Sequence, residues 1–153
     1  IDWEWIGSDN TQVQTNYFSK GNTSTYDRGR FHPVSSPVSS PHTYALEWTR
    51  HNITWSVDGR PVRTLLARDA GGRFPQTPMQ VKLGTWVAGR ADAAPGTVHW
   101  AGGYAEWSRG PFAAYYRSVS VTDYAGRHGP AGRAAVRYVW GDATGSWQSI
   151  RVE

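Results

Sequence analysis

The chain has 153 residues, enough for one domain of ordinary size and for a core that needs no disulfide or metal to hold it. Its 16 Lys+Arg against 12 Asp+Glu leave a net charge of +4, a surplus too small and scattered for a nucleic-acid binder. No stretch approaches the ~20 apolar residues of a membrane span.

Nine Trp, eight Tyr, 17 Gly and 9 Pro, with one Met, point to an all-β, turn-rich fold with aromatic surface to spare. Cysteine is absent, so it cannot assign a compartment. The first element, Ile1–Ile6, alternates as a strand, with Asp2 and Glu4 on one face and Trp3 and Trp5 on the other. It opens mid-strand with no polar lead-in, so the sequence reads as a fragment with strands missing upstream. After the turn residues 7–10, Gln12–Phe18 alternates again, with Gln12, Gln14 and Asn16 on one side. Residues 19–41 are rich in Ser, Gly and Pro and read as a long surface loop. Thr43–Trp48 places Tyr44, Leu46 and Trp48 together.

A hairpin follows. Ile53, Trp55 and Val57 alternate with polar residues, Asp58-Gly59 tolerates the positive φ of a tight turn, and residues 61–66 return. Met79–Trp86 is the next predicted strand. Met79, Val81 and Leu83 face a core there, and Gln80, Lys82 and Trp86 face away. Residues 87–114 read as loop, and Tyr115–Val121 and Val136–Trp140 as later strands. Trp48, Trp55 and Trp140 alternate with polar neighbours and are assigned to the core. No helical periodicity longer than about two turns occurs. The sequons Asn22-Thr23-Ser24 and Asn52-Ile53-Thr54 lean toward a secreted glycoprotein.

Several short strands with period-two patterning suggest a β-sandwich or jelly roll. If the polar faces Asp2/Glu4, Gln12/Gln14/Asn16 and Gln80/Lys82/Trp86 line one concave sheet, they form a polysaccharide cleft. Asp2 and Glu4 share a strand face with Cα atoms roughly 6.5–7 Å apart. Two acids this close raise the cost of ionising both. Glycoside hydrolysis uses such a pair, one carboxylate to attack or assist and one carboxylic acid to protonate the leaving oxygen. A solvated strand face is the alternative for a bare Asp-x-Glu. His32, His42, His51, His99 and His128 lack zinc-site spacing, and no cofactor motif occurs.

Ile1–Gly7 resembles the catalytic strand of glycoside hydrolase family 16, whose pattern is Glu-x-Asp-x-Glu. The resemblance continues through residues 14–18, 26–29, 42–44, 55–59, 74–86, 100–104 and 110–116, and is closest to fungal cell-wall transglycosylases that join chitin to β-glucan. It implies a β-jelly-roll sandwich with a concave carbohydrate-binding cleft and a retaining mechanism. Residue by residue, Asp2 becomes the assisting carboxylate and Glu4 the general acid/base. The nucleophile falls immediately before Ile1, so residues 1–153 read as the C-terminal part of one catalytic domain and are expected to be inactive alone. Gln14, Asn16, Phe18, Arg28, Gln80, Lys82, Trp86 and Trp100 are the expected substrate-binding residues, with Trp86 and Trp100 as stacking platforms. The implied partners are chitin and β-glucan, with no metal and no cofactor. The implied state is a monomer when complete, secreted to the cell wall and open to lipid anchoring. The rival reading is a lectin-like carbohydrate-binding module, which would use the same groove without a nucleophile.

Overall fold

A computed structural model describes residues 1–124 and 134–153. His128 lies outside the described residues. The chain divides into two compact units: Ile1–Pro75 with Leu83–Ala113, and Gln76–Lys82 with Ala114–Glu153.

The first unit holds two antiparallel three-stranded sheets. One has the order β1 (Asp2–Glu4), β2 (Gln12–Asn16), β3 (Arg30–Pro33). The other has the order β4 (Tyr44–Trp48), β5 (Asn52–Val57), β6 (Arg60–Leu66). The period-two patterns decide which faces are buried. Val13 and Thr15 of β2 are buried, as are Ile53, Trp55 and Val57 of β5. Tyr17, Ile53, Trp55, Ala70 and Phe74 form the core, with Ile1, Trp3, Trp48, Val62 and Leu65 packed against it. Polar bonds tie the sheets together. Trp55 Nε1 donates to the Asp2 carbonyl at 3.3 Å, and Arg63 Nη1 donates to Thr15 Oγ1 at 2.9 Å and to the Thr15 carbonyl at 3.1 Å. The Arg63 guanidinium also lies 4.8 Å from the Trp55 ring centroid.

The predicted hairpin is β5–β6. Asp58 and Gly59 sit at φ 49° and 78°, the positive values its two-residue turn requires. One short helix, α1 (Pro95–Trp100), interrupts the predicted loop 87–114.

In the second unit β7 (Tyr138–Trp140) pairs antiparallel with β8 (Ile150–Val152). An Arg137–Glu153 ion pair at 2.7 Å extends the ladder. Gln76 Oε1 accepts the Trp147 backbone N–H at 2.9 Å.

Four expectations change. Arg30–Pro33 is an edge strand inside the predicted loop; its Pro stands at the end, where no ladder N–H is needed. Met79–Trp86 and Tyr115–Val121 alternate like strands but form none. Met79, Val81, Leu83 and Tyr115 are exposed. Alternation encodes which side chains share a face, but a strand exists only where a neighbour takes its backbone bonds, and none does so here among the described residues. Trp140 is exposed, not core, because its two-stranded ribbon has no second layer over that ring among the described residues. Trp48 is half-buried, with Nε1 donating to the Pro75 carbonyl at 3.0 Å.

Candidate active site

The site is built on the outer face of the first sheet. Antiparallel register sets Asp2 opposite Asn16 and Glu4 opposite Gln14, and continues from Gln14 to Phe31 on β3. Directly opposed residues point to the same face, so Asp2, Glu4, Gln14, Asn16 and Phe31 share one surface. The opposite face of β2 is buried at Val13 and Thr15, so the register cannot slip without putting these polar groups into the core. Glu4 is half-buried. Burial first, and the neighbouring Asp2 charge second, hold its carboxyl above the usual carboxylate range. Such a group keeps its proton, and can donate it, at a pH where an ordinary glutamate cannot.

Two indoles come from the 83–113 segment. Trp100 Nε1 donates to Gln14 Oε1 at 2.8 Å, which fixes the amide so that its NH₂ end is free to donate elsewhere. Trp86 stacks on Trp100 with centroids 5.9 Å apart and planes 20° from parallel, and stays largely exposed. Gly29 lies against the Gln14 amide, where a Cβ would come within 2.9 Å of Nε2. The row Glu4–Gln14–Trp100–Trp86 is therefore a continuous line from a proton donor through an amide to flat aromatic faces.

Asn16 Oδ1 accepts the Tyr17 backbone N–H at 2.9 Å. Phe18 lies past the end of β2, edge-on to Tyr26 at 5.9 Å. The Arg28 guanidinium lies 4.7 Å from the Phe18 ring and 5.5 Å from the Tyr17 ring. Arg28 is buried. Its Nη2 donates to the Asn22 and Thr25 carbonyls at 3.2 and 3.0 Å, while Nε and Nη1 have no hydrogen-bond partner. Phe18 and Arg28 thus form a cluster of their own that pins the 22–25 loop. Gln80 and Lys82 belong to the second unit and are exposed there. Asn22 is exposed in an Asx turn, its Oδ1 accepting the Ser24 N–H at 3.0 Å. Asn52 is held in β5: Thr49 Oγ1 donates to its Oδ1 at 2.9 Å, and its Nδ2 donates to Thr54 Oγ1 at 3.1 Å.

Phe31 is the member that sequence reasoning missed. A short strand embedded in a polar segment hides it, and only pairing with β2 places it beside Gln14. Gly29 is invisible for the same reason. Among the described residues no group of three His, Asp and Glu side chains could hold a metal ion.

Residues 1–102 match the sequence model of glycosyl hydrolases family 16, a span that includes Asp2, Glu4, Gln14, Asn16, Phe18, Arg28, Trp86 and Trp100. The chain belongs to this family. It is 47% identical over 155 residues to Crh-like protein 5 of Aspergillus fumigatus, covering 100% of this chain and 37% of that protein. It is 44% identical over 153 residues to Congo red hypersensitive protein 1 of Saccharomyces cerevisiae, covering 100% of this chain and 28% of that protein. A solved Crh5 transglycosylase in complex with NAG superposes with a TM-score of 0.88 at 47% identity, covering 99% of this chain and 60% of that one. The chain spans little more than a third of Crh-like protein 5 and less of Congo red hypersensitive protein 1. The all-β jelly-roll class expected from the sequence is the fold of this family member. No helix among the described residues is long and apolar enough to cross a membrane.

Proposed function

We propose that the chain carries part of the cleft of a retaining cell-wall transglycosylase. The donor is a β-linked polysaccharide of the chitin class, and the acceptor is a β-glucan or chitin chain. The observation that carries this reading is the shared sheet face: Asp2 and a proton-retaining Glu4 stand beside the Gln14 amide and the Trp100–Trp86 stack. A carboxylate upstream of Asp2 attacks the anomeric carbon as the glycosidic C–O bond breaks, and Glu4 gives its proton to the departing oxygen. The acceptor hydroxyl then attacks the same carbon, the ester bond breaks, and the hydroxyl proton returns to Glu4. Asp2 keeps Glu4 protonated and buffers the charge that develops. Phe31 adds an aromatic face on the same surface, suited to the C–H face of a pyranose.

The nucleophile belongs at the position before Ile1, which strand alternation puts on the Asp2/Glu4 face. Residues 1–153 are then the C-terminal part of one catalytic domain. We place the complete protein outside the cell, monomeric, in the wall, glycosylated at Asn22 and Asn52 and attached by a lipid anchor. Asn16, Phe18 and Arg28 are assigned to substrate contacts or their support.

The deciding experiment has two steps. The native protein is sequenced across the position before Ile1, and the complete domain is assayed with chitin-oligosaccharide donors and labelled glucan acceptors. A Glu at that position and labelled products of retained anomeric configuration are expected. Another residue there, with glycan binding but no turnover, would overturn the enzyme reading in favour of a lectin-like module.

A further inference from the structure

Glu4 stands on the last rung of the ladder between β1 and β2, opposite Gln14, and β1 has no strand on its other side among the described residues. A strand end with one neighbour frays unless something else holds it. Trp3 and Trp5 flank Glu4 in the chain, and alternation sends both indoles to the reverse of the face that carries Glu4. There both meet one side chain. The Tyr44 ring lies 5.2 Å from Trp3 with planes at 64°, and 4.8 Å from Trp5 with planes at 85°, edge-to-face in each case. Trp3 also packs against the core, whereas Trp5 lies past the ladder and is 36% exposed, so the Tyr44 contact weighs more at that end.

Tyr44 is itself well held. It stands on β4 opposite the buried Val57 and so belongs to the inward face of the second sheet. The His42 ring lies 6.0 Å from it at 63°. That imidazole is tied at both nitrogens, Nδ1 to Asp58 Oδ2 at 2.7 Å and Nε2 to the Ser35 carbonyl at 2.9 Å. Asp58 Oδ1 accepts the Thr43 backbone N–H at 2.9 Å, which closes the support onto the residue before Tyr44. Two fixed side chains on the reverse of a strand set the backbone twist between them, and with it the direction of the intervening Cα–Cβ bond.

Resting on the acid/base role proposed for Glu4, we propose that Tyr44 is a positioning residue for that reaction: its ring clamps the indoles of Trp3 and Trp5 and so fixes where the Glu4 carboxyl stands. Tyr44 lies behind the sheet face that carries Glu4, so it acts through the strand and not on the substrate. Proton transfer needs the carboxyl within hydrogen-bond reach of the leaving oxygen, and a misplacement of about 1 Å costs about 100-fold in rate. A loosened strand end also lets water reach the carboxyl and removes the burial that is the first cause of its raised pKa. The charged neighbour that raises it further, Asp2, shares its strand, and Gln14 opposite is uncharged.

The test compares the complete domain with its Tyr44→Leu, Tyr44→Phe and Trp5→Leu variants, using a chitin-oligosaccharide donor. Tyr44→Leu removes the clamping ring and Tyr44→Phe keeps it. Trp5→Leu removes the partner at the exposed edge of the contact, where folding is little affected. Each Leu variant should lower kcat about tenfold to a hundredfold with the donor KM within about twofold of the parent. The double Leu variant should lose no more than the worse single one, because both break the same contact. Tyr44→Phe should restore most of the turnover that Tyr44→Leu loses. A loss carried by KM, losses that multiply in the double variant, or a Tyr44→Phe as slow as Tyr44→Leu overturns the proposal. Carbon-13 NMR titration of the Glu4 carboxyl, assigned with Glu4→Gln, gives a readout free of turnover. The Glu4 pKa should fall toward 4.5 in Trp5→Leu and stay raised in Tyr44→Phe; an unchanged value in Trp5→Leu overturns the clamp. If the parent domain turns over no β-glycan, the transglycosylase reading fails, and the titration still decides whether the clamp holds Glu4.

Discussion

Trp55 joins the fold to the site, and Trp55→Phe tests that link. The side chain is fully buried at the centre of β5, and its N–H reaches the carbonyl of Asp2 on β1. Phe keeps a six-membered ring in the core but cannot donate. The lost hydrogen bond costs about 1 kcal/mol. The missing pyrrole atoms cost about 1–2 kcal/mol more in lost burial and in the cavity left behind. The sum is about 2–3 kcal/mol, a large share of the stability of a small domain. With a urea slope of about 2 kcal/mol per molar, the unfolding midpoint should fall by about 1 M, read by far-ultraviolet circular dichroism. Trp86→Phe is the control. That ring is exposed and its N–H holds nothing in the core, so its midpoint should stay within about 0.3 M of the parent. If Trp55→Phe moved the midpoint no further than Trp86→Phe, Trp55 would not tie β5 to the strand that carries Asp2 and Glu4, and the core would not be held as described.

Four further outcomes are expected. Glu4→Gln in the complete domain should lower turnover roughly 100- to 10,000-fold without lowering the melting temperature; full turnover would remove Glu4 from the acid/base role. Asp2→Asn removes the second cause of Glu4's raised pKa, so the basic limb of the activity profile should move to lower pH, and a limb that stays in place would refute the coupling. Asp58 raises the pKa of His42 above 6.5 through a 2.7 Å hydrogen bond, and the Ser35 carbonyl accepts from the other ring nitrogen at 2.9 Å. The stabilisation from His42 is present below pH 6.5 and is lost as pH rises through its folded pKa. The lowered pKa of Asp58 makes its share present above pH 3.8 and lost as pH falls through its folded value. The melting-temperature gap between the parent and His42→Gln should therefore be widest between those limits; a gap independent of pH would show that the pair does not titrate with folding. Gly29→Ala pushes a Cβ against the Gln14 amide and should weaken oligosaccharide binding several-fold in calorimetry, with stability little changed because only a side-chain end must move. Unaltered affinity would mean that the Gln14 orientation does not matter.

Much of the site was legible because β-alternation is a local code. Asp2 with Glu4, and Gln14 with Asn16, could be put on faces by counting twos, and Asp58-Gly59 announced its turn by the φ values those residues tolerate. Pairing is not local. Nothing in Arg30–Pro33 names β2 as its neighbour, so Phe31 stayed hidden in a loop. The same gap made strands of Met79–Trp86 and Tyr115–Val121, whose pattern is sound but whose backbone bonds no described strand takes.

The all-β class, the hairpin, the acid pair and the family could be read from the chain, since each rests on residue type at short spacing. Packing was needed to show that the Trp100 N–H orients Gln14, that Trp86 stacks on Trp100, and that Arg28 is buried against aromatic rings. Gln14 and Trp100 are 86 residues apart. Contacts over such separations depend on how packed layers bring distant segments together, and composition and periodicity carry no term for that.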